Sequence, residues 1–328
     1  MTSLLIALSA VLASSPGPKQ MHHYVFYGQN REQLQIDTAF FNTKTLEGAQ
    51  VAYSWLHLEP GKDEYDFSMI REDLALLRAH GKKLFVQLQD VSFSPDIIPV
   101  PRYLRRDPYN GGVDKQYRID TDEEHAVHEG WMTRRWDPAV QERLAKLLLA
   151  LGKEFDGQIE GINLAESSAT FGESGKLFPK GFTPQAYRDG IITNMRALKR
   201  AFPKSVTIEY GNFMPGEWRP DDDKGYLRAV YDAAKEMKVG VGGPDLLPYR
   251  RGQLKNSYPL IHDVADFVPV GIAVQDGDYD DRDKKTGVRN TVPQLIDFAT
   301  SYLKADYIFW CTQQPYYSRE LIPYMRAR

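Results

Sequence analysis

AQVAYSWLHL (residues 49–58), SMIREDLALLRAHG (68–81) and KKLFVQLQD (82–90) decide the fold of this chain. The first and third are short apolar runs that read as strands. In the middle stretch Ile70, Leu74 and Leu77 recur at helical spacing, Ser68 can cap the start and Gly81 can end it. Two strands joined through a helix pair in parallel, because a tight hairpin is then impossible. Whether the whole chain is built this way depends on how often the unit repeats.

It repeats along the entire sequence. HHYVFYG (22–28) precedes it as a first strand. DPAVQERLAKLLLALG (137–152) begins with Asp137 as cap and Pro138 in the first turn, carries Val140, Leu144, Leu147, Leu148 and Leu151 on one stripe, and has Gly152 behind them. IEGINLAE then reads as strand four, and a helix starting at Thr183 and Pro184 follows. SVTIEYGN, VGVGGPDLL, FVPVGIAVQD and DYIFWCTQQ supply strands five to eight, each followed by a helical stretch; the one near Leu254 to Val264 has the weakest pattern. Eight strand-then-helix units without a composition break predict an α/β protein with a (β/α)8 TIM barrel as one domain over residues 21–328. An open doubly wound sheet is the competitor, and YGQNREQ lacks the glycine-rich phosphate turn expected there after the first strand. The connection from Val91 to Trp136 is far longer than a normal loop, and reads as a lid or substrate wall following strand three.

The bulk numbers fit this. The chain has 328 residues, 42% hydrophobic and 26% charged, with a net charge of −3, and no basic stripe of the kind a nucleic-acid partner requires. Residues 1–20 hold an apolar run from Leu4 to Ala13 that is too short to span a bilayer and suits a secretory signal, although the usual basic start is missing. A secreted or periplasmic protein without membrane insertion is expected. The lone Cys311 cannot form an internal disulfide.

In a barrel the C-terminal ends of the strands converge on one mouth. Collected there are Trp55, His57, Gln89, Asp90, Asn163, Glu166, Glu209, Asn212, Asp245, Gln275, Asp276, Trp310 and Gln313. Aromatic faces stack on sugar rings while amides and carboxylates bond hydroxyls, so this inventory suits a carbohydrate partner. Paired acids are also what glycosidic bond cleavage needs.

The stretch QVAYSWLHLEPGKDEYDFSMIREDLALLRAHGKKLFVQL resembles the second and third barrel units of clan A glycoside hydrolases. In that clan an acid/base glutamate closes strand four, usually after an asparagine, and a nucleophilic glutamate closes strand seven. The resemblance therefore implies Glu166 as the acid, with Ala165 standing where the asparagine would be. At strand seven GIAVQDGDY offers Gln275 and then Asp276 instead of glutamate. The expectation is a glycosidase without cofactor or metal, catalytic through Glu166 and Asp276, with Glu209 as a second candidate partner acid. Trp55, His57, Gln89, Asp90, Asn163, Glu209, Asn212, Asp245, Gln275 and Trp310 are expected to bind substrate.

Two other readings use the same residues. A sugar-binding barrel that has lost its nucleophile would explain Gln275. A metal-dependent hydrolase would need His57, His125 and His128 to converge with a carboxylate. The acidic run DGDYDDRD (276–283) lacks the glycine and glutamate that a calcium loop requires, and PDDDK (220–224) reads as a surface turn.

Overall fold

The computed structural model describes residues 20–328, so the expected leader falls outside the described residues. Eleven strands are present among them: β1 (His22–Phe26), β2 (Gly48–Ser54), β3 (Lys83–Gln89), β4 (Val91–Ser92), β5 (Val113–Arg118), β6 (Val127–Thr133), β7 (Gly161–Leu164), β8 (Val206–Glu209), β9 (Gly240–Gly243), β10 (Val270–Val274) and β11 (Tyr307–Cys311). Eight of these close into a parallel barrel in the order β1, β2, β3, β7, β8, β9, β10, β11, the last pairing with β1 from His22 against Tyr307 to Phe26 against Cys311. The chain has the (β/α)8 fold.

Strand alternation sorts the barrel residues into two sets. Tyr24, Phe85, Ile208, Tyr210, Ala273, Tyr307 and Phe309 form one buried cluster inside the barrel. Their neighbours in sequence, such as Val25, Leu84, Ile272, Ile308 and Trp310, belong to the larger core between strands and helices or are buried beside it. Both faces of every strand are therefore covered, as a parallel sheet requires.

The helices start where their caps predict. Asp137 accepts from the N–H groups of Ala139 and Val140 at the head of the Pro138–Phe155 helix, and Thr183 accepts from Ala186 at the head of Pro184–Ala201. Gly152, however, does not end its helix. A Cβ built there would lie 2.0 Å from the Ala201 carbonyl oxygen, so this glycine lets two barrel helices approach closely. The Ser68–Ala79 helix departs from expectation at its start, where Ser68 is already the first helical residue and donates its N–H to Asp66 instead of capping, while Gly81 takes the expected left-handed backbone just beyond its end. The weak stretch near Leu254 resolves into two short helices, Arg251–Lys255 and Ser257–Val264.

Two further differences bear on the mouth. The predicted second strand stops at Ser54, and Trp55–Leu58 turns into a helical segment with Glu59 buried beneath it. The long segment after β3 is not structureless: β4, β5 and β6 make a three-stranded antiparallel sheet in the order β4, β6, β5. That sheet uses its own ladder to satisfy backbone groups that a loop of such length would leave to water. No described helix is long and apolar enough to cross a membrane.

Candidate active site

The exits of β7 and β8 are stitched together by one serine. The Ser167 N–H donates to the Tyr210 carbonyl (2.9 Å), its hydroxyl donates to the Phe213 carbonyl (3.0 Å), and the same hydroxyl accepts from the Asn212 N–H (3.0 Å). This fixes Asn212 against the preceding residue, and its Nδ2 donates to Glu166 Oε2 at 3.0 Å.

Behind Glu166 stands Arg135, from the end of the long segment. Its guanidinium donates to both carboxylate oxygens of Asp90 (2.5 and 2.9 Å), to the Glu166 carbonyl (2.7 Å), to the Ala165 carbonyl (3.4 Å) and to the Tyr187 hydroxyl (3.1 Å). Arginine suits this place because its planar fork can meet a carboxylate bidentately and still reach carbonyls on another strand. The clamp holds the backbone that presents Glu166.

Burial pushes the Glu166 carboxyl up to about 7; the Asn212 hydrogen bond opposes this, the Asp245 charge adds to it and Arg135 opposes it. Near neutral pH such a group holds a proton for part of the time, which is the state a proton donor needs. Asp245, just beyond β9, is raised too, mainly by burial, with Arg250 and Gln253 favouring its ionised form. Its segment is pinned: the Tyr258 hydroxyl donates to the Asp245 carbonyl (2.9 Å), and the Leu246 N–H donates to Asp278 Oδ2 (3.0 Å).

Several residues collected from the sequence stand elsewhere than at an open mouth. Trp55 and Trp310 are fully buried, the first donating its indole N–H to Glu59 and the second to His23 (2.8 and 3.2 Å). Neither offers a ring face to a sugar. Glu209 alternates with the inward-pointing Ile208 and Tyr210, so it lies behind the barrel wall, in a small closed cavity with Asp90, Arg135 and Asn194. Asp90 is spent on Arg135. Asn163 is fully buried inside the barrel, where it accepts from Gln50 Nε2 (2.9 Å), and Gln50 also donates to the Tyr210 hydroxyl (3.1 Å). That polar layer is the floor beneath the mouth.

The remaining candidates are at the rim. Gln89 and Gln275 are half-buried, His57 is exposed with its Nδ1 at 3.0 Å from the Ser54 hydroxyl, and Gln313 bonds Asp280 and the Gly277 N–H. Asp276 is exposed in a groove of about 360 Å³ shared with Phe26, Tyr27, Cys311 and Thr312. Gln275 continues the inward parity of Ala273, whereas Asp276 follows it on the rim between β10, β11 and β1. The three histidines of the metal reading do not converge: His125 pairs with Asp122 and His128 bonds the Gly130 carbonyl. Among the described residues no group of three or more His, Cys, Asp or Glu is arranged to hold a metal.

Sequence reading allows Glu166 an arginine of the long segment and a neighbouring acid, but does not single out Arg135 and Asp245 for those places. The only sequence signal for the first is an arginine pair directly before Trp136 and the Asp137 cap.

No family model matches the chain, and no curated protein matches it in sequence. Solved structures do match its fold. The catalytic domain of β-amylase from Paenibacillus polymyxa superposes with a TM-score of 0.59 at 9% identity, over 90% of this chain and 93% of that one. A GH5_18 protein from Bifidobacterium longum subsp. longum, in complex with Manβ1-4GlcNAc, gives 0.54 at 10% identity over 94% and 72%. A β-glycosidase, BGL167, gives 0.51 at 13% identity over 87% and 76%. At such identities the likeness speaks for the fold alone. The chain shares its (β/α)8 barrel fold with these solved structures.

Proposed function

We propose that this protein is a glycoside hydrolase that cleaves O-glycosidic bonds of an oligosaccharide or polysaccharide, with Glu166 as proton donor. The observation that carries the reading is the environment of Glu166: half-buried, held by Asn212, clamped through its backbone by Arg135, and raised to about 7. In this reading Glu166 passes its proton to the glycosidic oxygen as the bond to the anomeric carbon breaks. A water attacks that carbon and gives its proton to a second carboxylate, which later returns it to Glu166 through solvent.

We assign the second carboxylate to Asp245 instead of Asp276. The Asp245 charge acts on Glu166, whereas Asp276 is exposed in the groove beyond Gln275. Gln275 at the strand-seven position cannot attack carbon, which favours direct displacement by water and hence inversion at the anomeric centre. Asp276 then holds a sugar hydroxyl.

The test is reducing-end release from an oligosaccharide panel, followed by proton NMR of the first anomer formed. Glu166→Gln and Asp245→Asn should each lower kcat by about 10²–10⁴-fold. Asp276→Asn should act mainly on KM. Unchanged turnover in Glu166→Gln removes the reading; loss in Asp276→Asn with turnover spared in Asp245→Asn moves the second role to Asp276. The absence of a strand-seven glutamate also favours a second reading, a binding barrel, which requires oligosaccharide affinity with no reducing ends released by the wild type.

A further inference from the structure

A second groove, of about 400 Å³, is lined by the two segments that leave Glu166 and Asn212, and it shares no lining residue with the groove that holds Asp276. Ser168, Ala169 and Thr170, which start two residues after Glu166, form one wall, and Phe213 to Trp218, which follow Asn212, form another. Its volume is within the roughly 300–1,000 Å³ typical of small-molecule sites.

Trp218 is 52% exposed, the most exposed of the five tryptophans in the chain. Its ring lies on Phe213 with centroids 5.5 Å apart and planes only 3° from parallel. Reciprocal backbone hydrogen bonds to Asp222 (3.0 and 2.7 Å) fix the Trp218 main chain, and the next residue, Arg219, donates to the Asn256 carbonyl at 2.7 Å. A large apolar ring held rigidly in water forfeits burial that a ligand could restore.

The groove's charges narrow the ligand class. Arg118 is its only lining cation, and that side chain is paired with Asp120 (3.0 Å) and lies 3.9 Å from Glu129. The Glu217 carboxylate is spent on the N–H groups of Lys224, Tyr226 and Leu227. An acidic sugar would find no free cation among these lining residues, while an uncharged pyranose can stack its C–H face on the indole and bond its hydroxyls to the polar wall.

We infer that the Phe213–Trp218 groove binds the leaving-group side of an uncharged oligosaccharide, with a pyranose ring stacked on Trp218. The assignment to the leaving-group side rests on the hydrolase reading above, since the proton donor faces the oxygen of the departing sugar and the groove wall begins at Ser168, two residues after Glu166. The chemical class of ligand rests on the groove alone.

The test uses the full chain carrying Glu166→Gln, titrated with β-1,4-linked hexasaccharides of glucose, mannose and xylose while tryptophan emission is recorded. At least one should shift the emission. Adding Trp218→Ala should abolish that shift and weaken binding about tenfold, whereas Trp218→Phe should retain most of the affinity. Emission unchanged with all three sugars, or affinity equal in Trp218→Ala, overturns the inference. In the active protein, hexasaccharide labelled at its reducing end should yield shorter labelled fragments after Trp218→Ala, because that end departs with the leaving group; an unchanged fragment pattern overturns the leaving-group assignment. Emission shifts from sugar with no hydrolysis by wild type remove the hydrolase and leave the sugar site standing; hydrolysis without any Trp218 dependence does the reverse.

Discussion

Glu209 gives the sharpest quantitative test of the packing around the site. It is 1% exposed, and neither carboxylate oxygen has a hydrogen-bond partner among the described residues. Burial raises its carboxyl from an ordinary 4.5 to about 8, against the attraction of Arg135 and with the help of the Asp90 charge. Between those two pH values the folded protein keeps a proton that the unfolded chain has released. Stability must then fall as pH rises through this window and level off above about 8. At about 1.4 kcal/mol per pH unit, the interval amounts to roughly 4–5 kcal/mol as a ceiling for this one group. Glu209→Gln keeps the shape, stays neutral throughout and removes the window. Urea unfolding of both proteins at intervals from about pH 5 to about pH 9 measures the difference. Near the acid end the two should be about equally stable, and toward the alkaline end the variant should become the more stable by several kcal/mol. Parallel curves across the range would mean that Glu209 titrates normally, and would refute the buried, neutral carboxyl.

Three other changes probe the frame. Arg135→Met leaves Asp90 buried without its partner and frees the Glu166 backbone; unfolding free energy should drop by roughly 3–5 kcal/mol, read from urea melts. Gly152→Ala drives a methyl group against the Ala201 carbonyl and should cost about 1–3 kcal/mol as the two helices are pushed apart, visible as a lower Tm. Trp310→Phe removes the hydrogen bond to His23 within the core; it should lower stability by about 0.5–3 kcal/mol while leaving oligosaccharide affinity in titrations unchanged.

The barrel was legible because its signals are local. Asp137 with Pro138 and Thr183 with Pro184 each mark a helix start in two residues, and the short apolar runs between helices read as strands. The site was less legible, for a reason of parity. Sequence shows where a strand ends but not which alternate residue points into the barrel, and in a parallel sheet both faces are apolar, so hydrophobicity cannot tell them apart. Trp55, Asp90, Glu209 and Trp310 all stand at strand ends and all lie on the helix-facing side. Glu166 lies two residues beyond β7, where the alternation of the strand no longer dictates its direction. Arg135 was not singled out because its partners are 30 and 45 residues away, Ala165 and Asp90, brought together only by the pairing of β3 with β7. The close ladder of β4, β5 and β6 was hidden inside polar, glycine-containing sequence that resembles loop.

The most direct measurement of the central claim is the titration of the Glu166 carboxyl itself. In protein carrying carbon-13 at glutamate carboxyls, the resonance that disappears in Glu166→Gln should titrate near 7, and its midpoint should move down in Asp245→Asn, where the neighbouring charge is gone. A midpoint at the ordinary 4.5, unmoved by Asp245→Asn, would show Glu166 ionised at neutral pH and contradict its role as the proton donor.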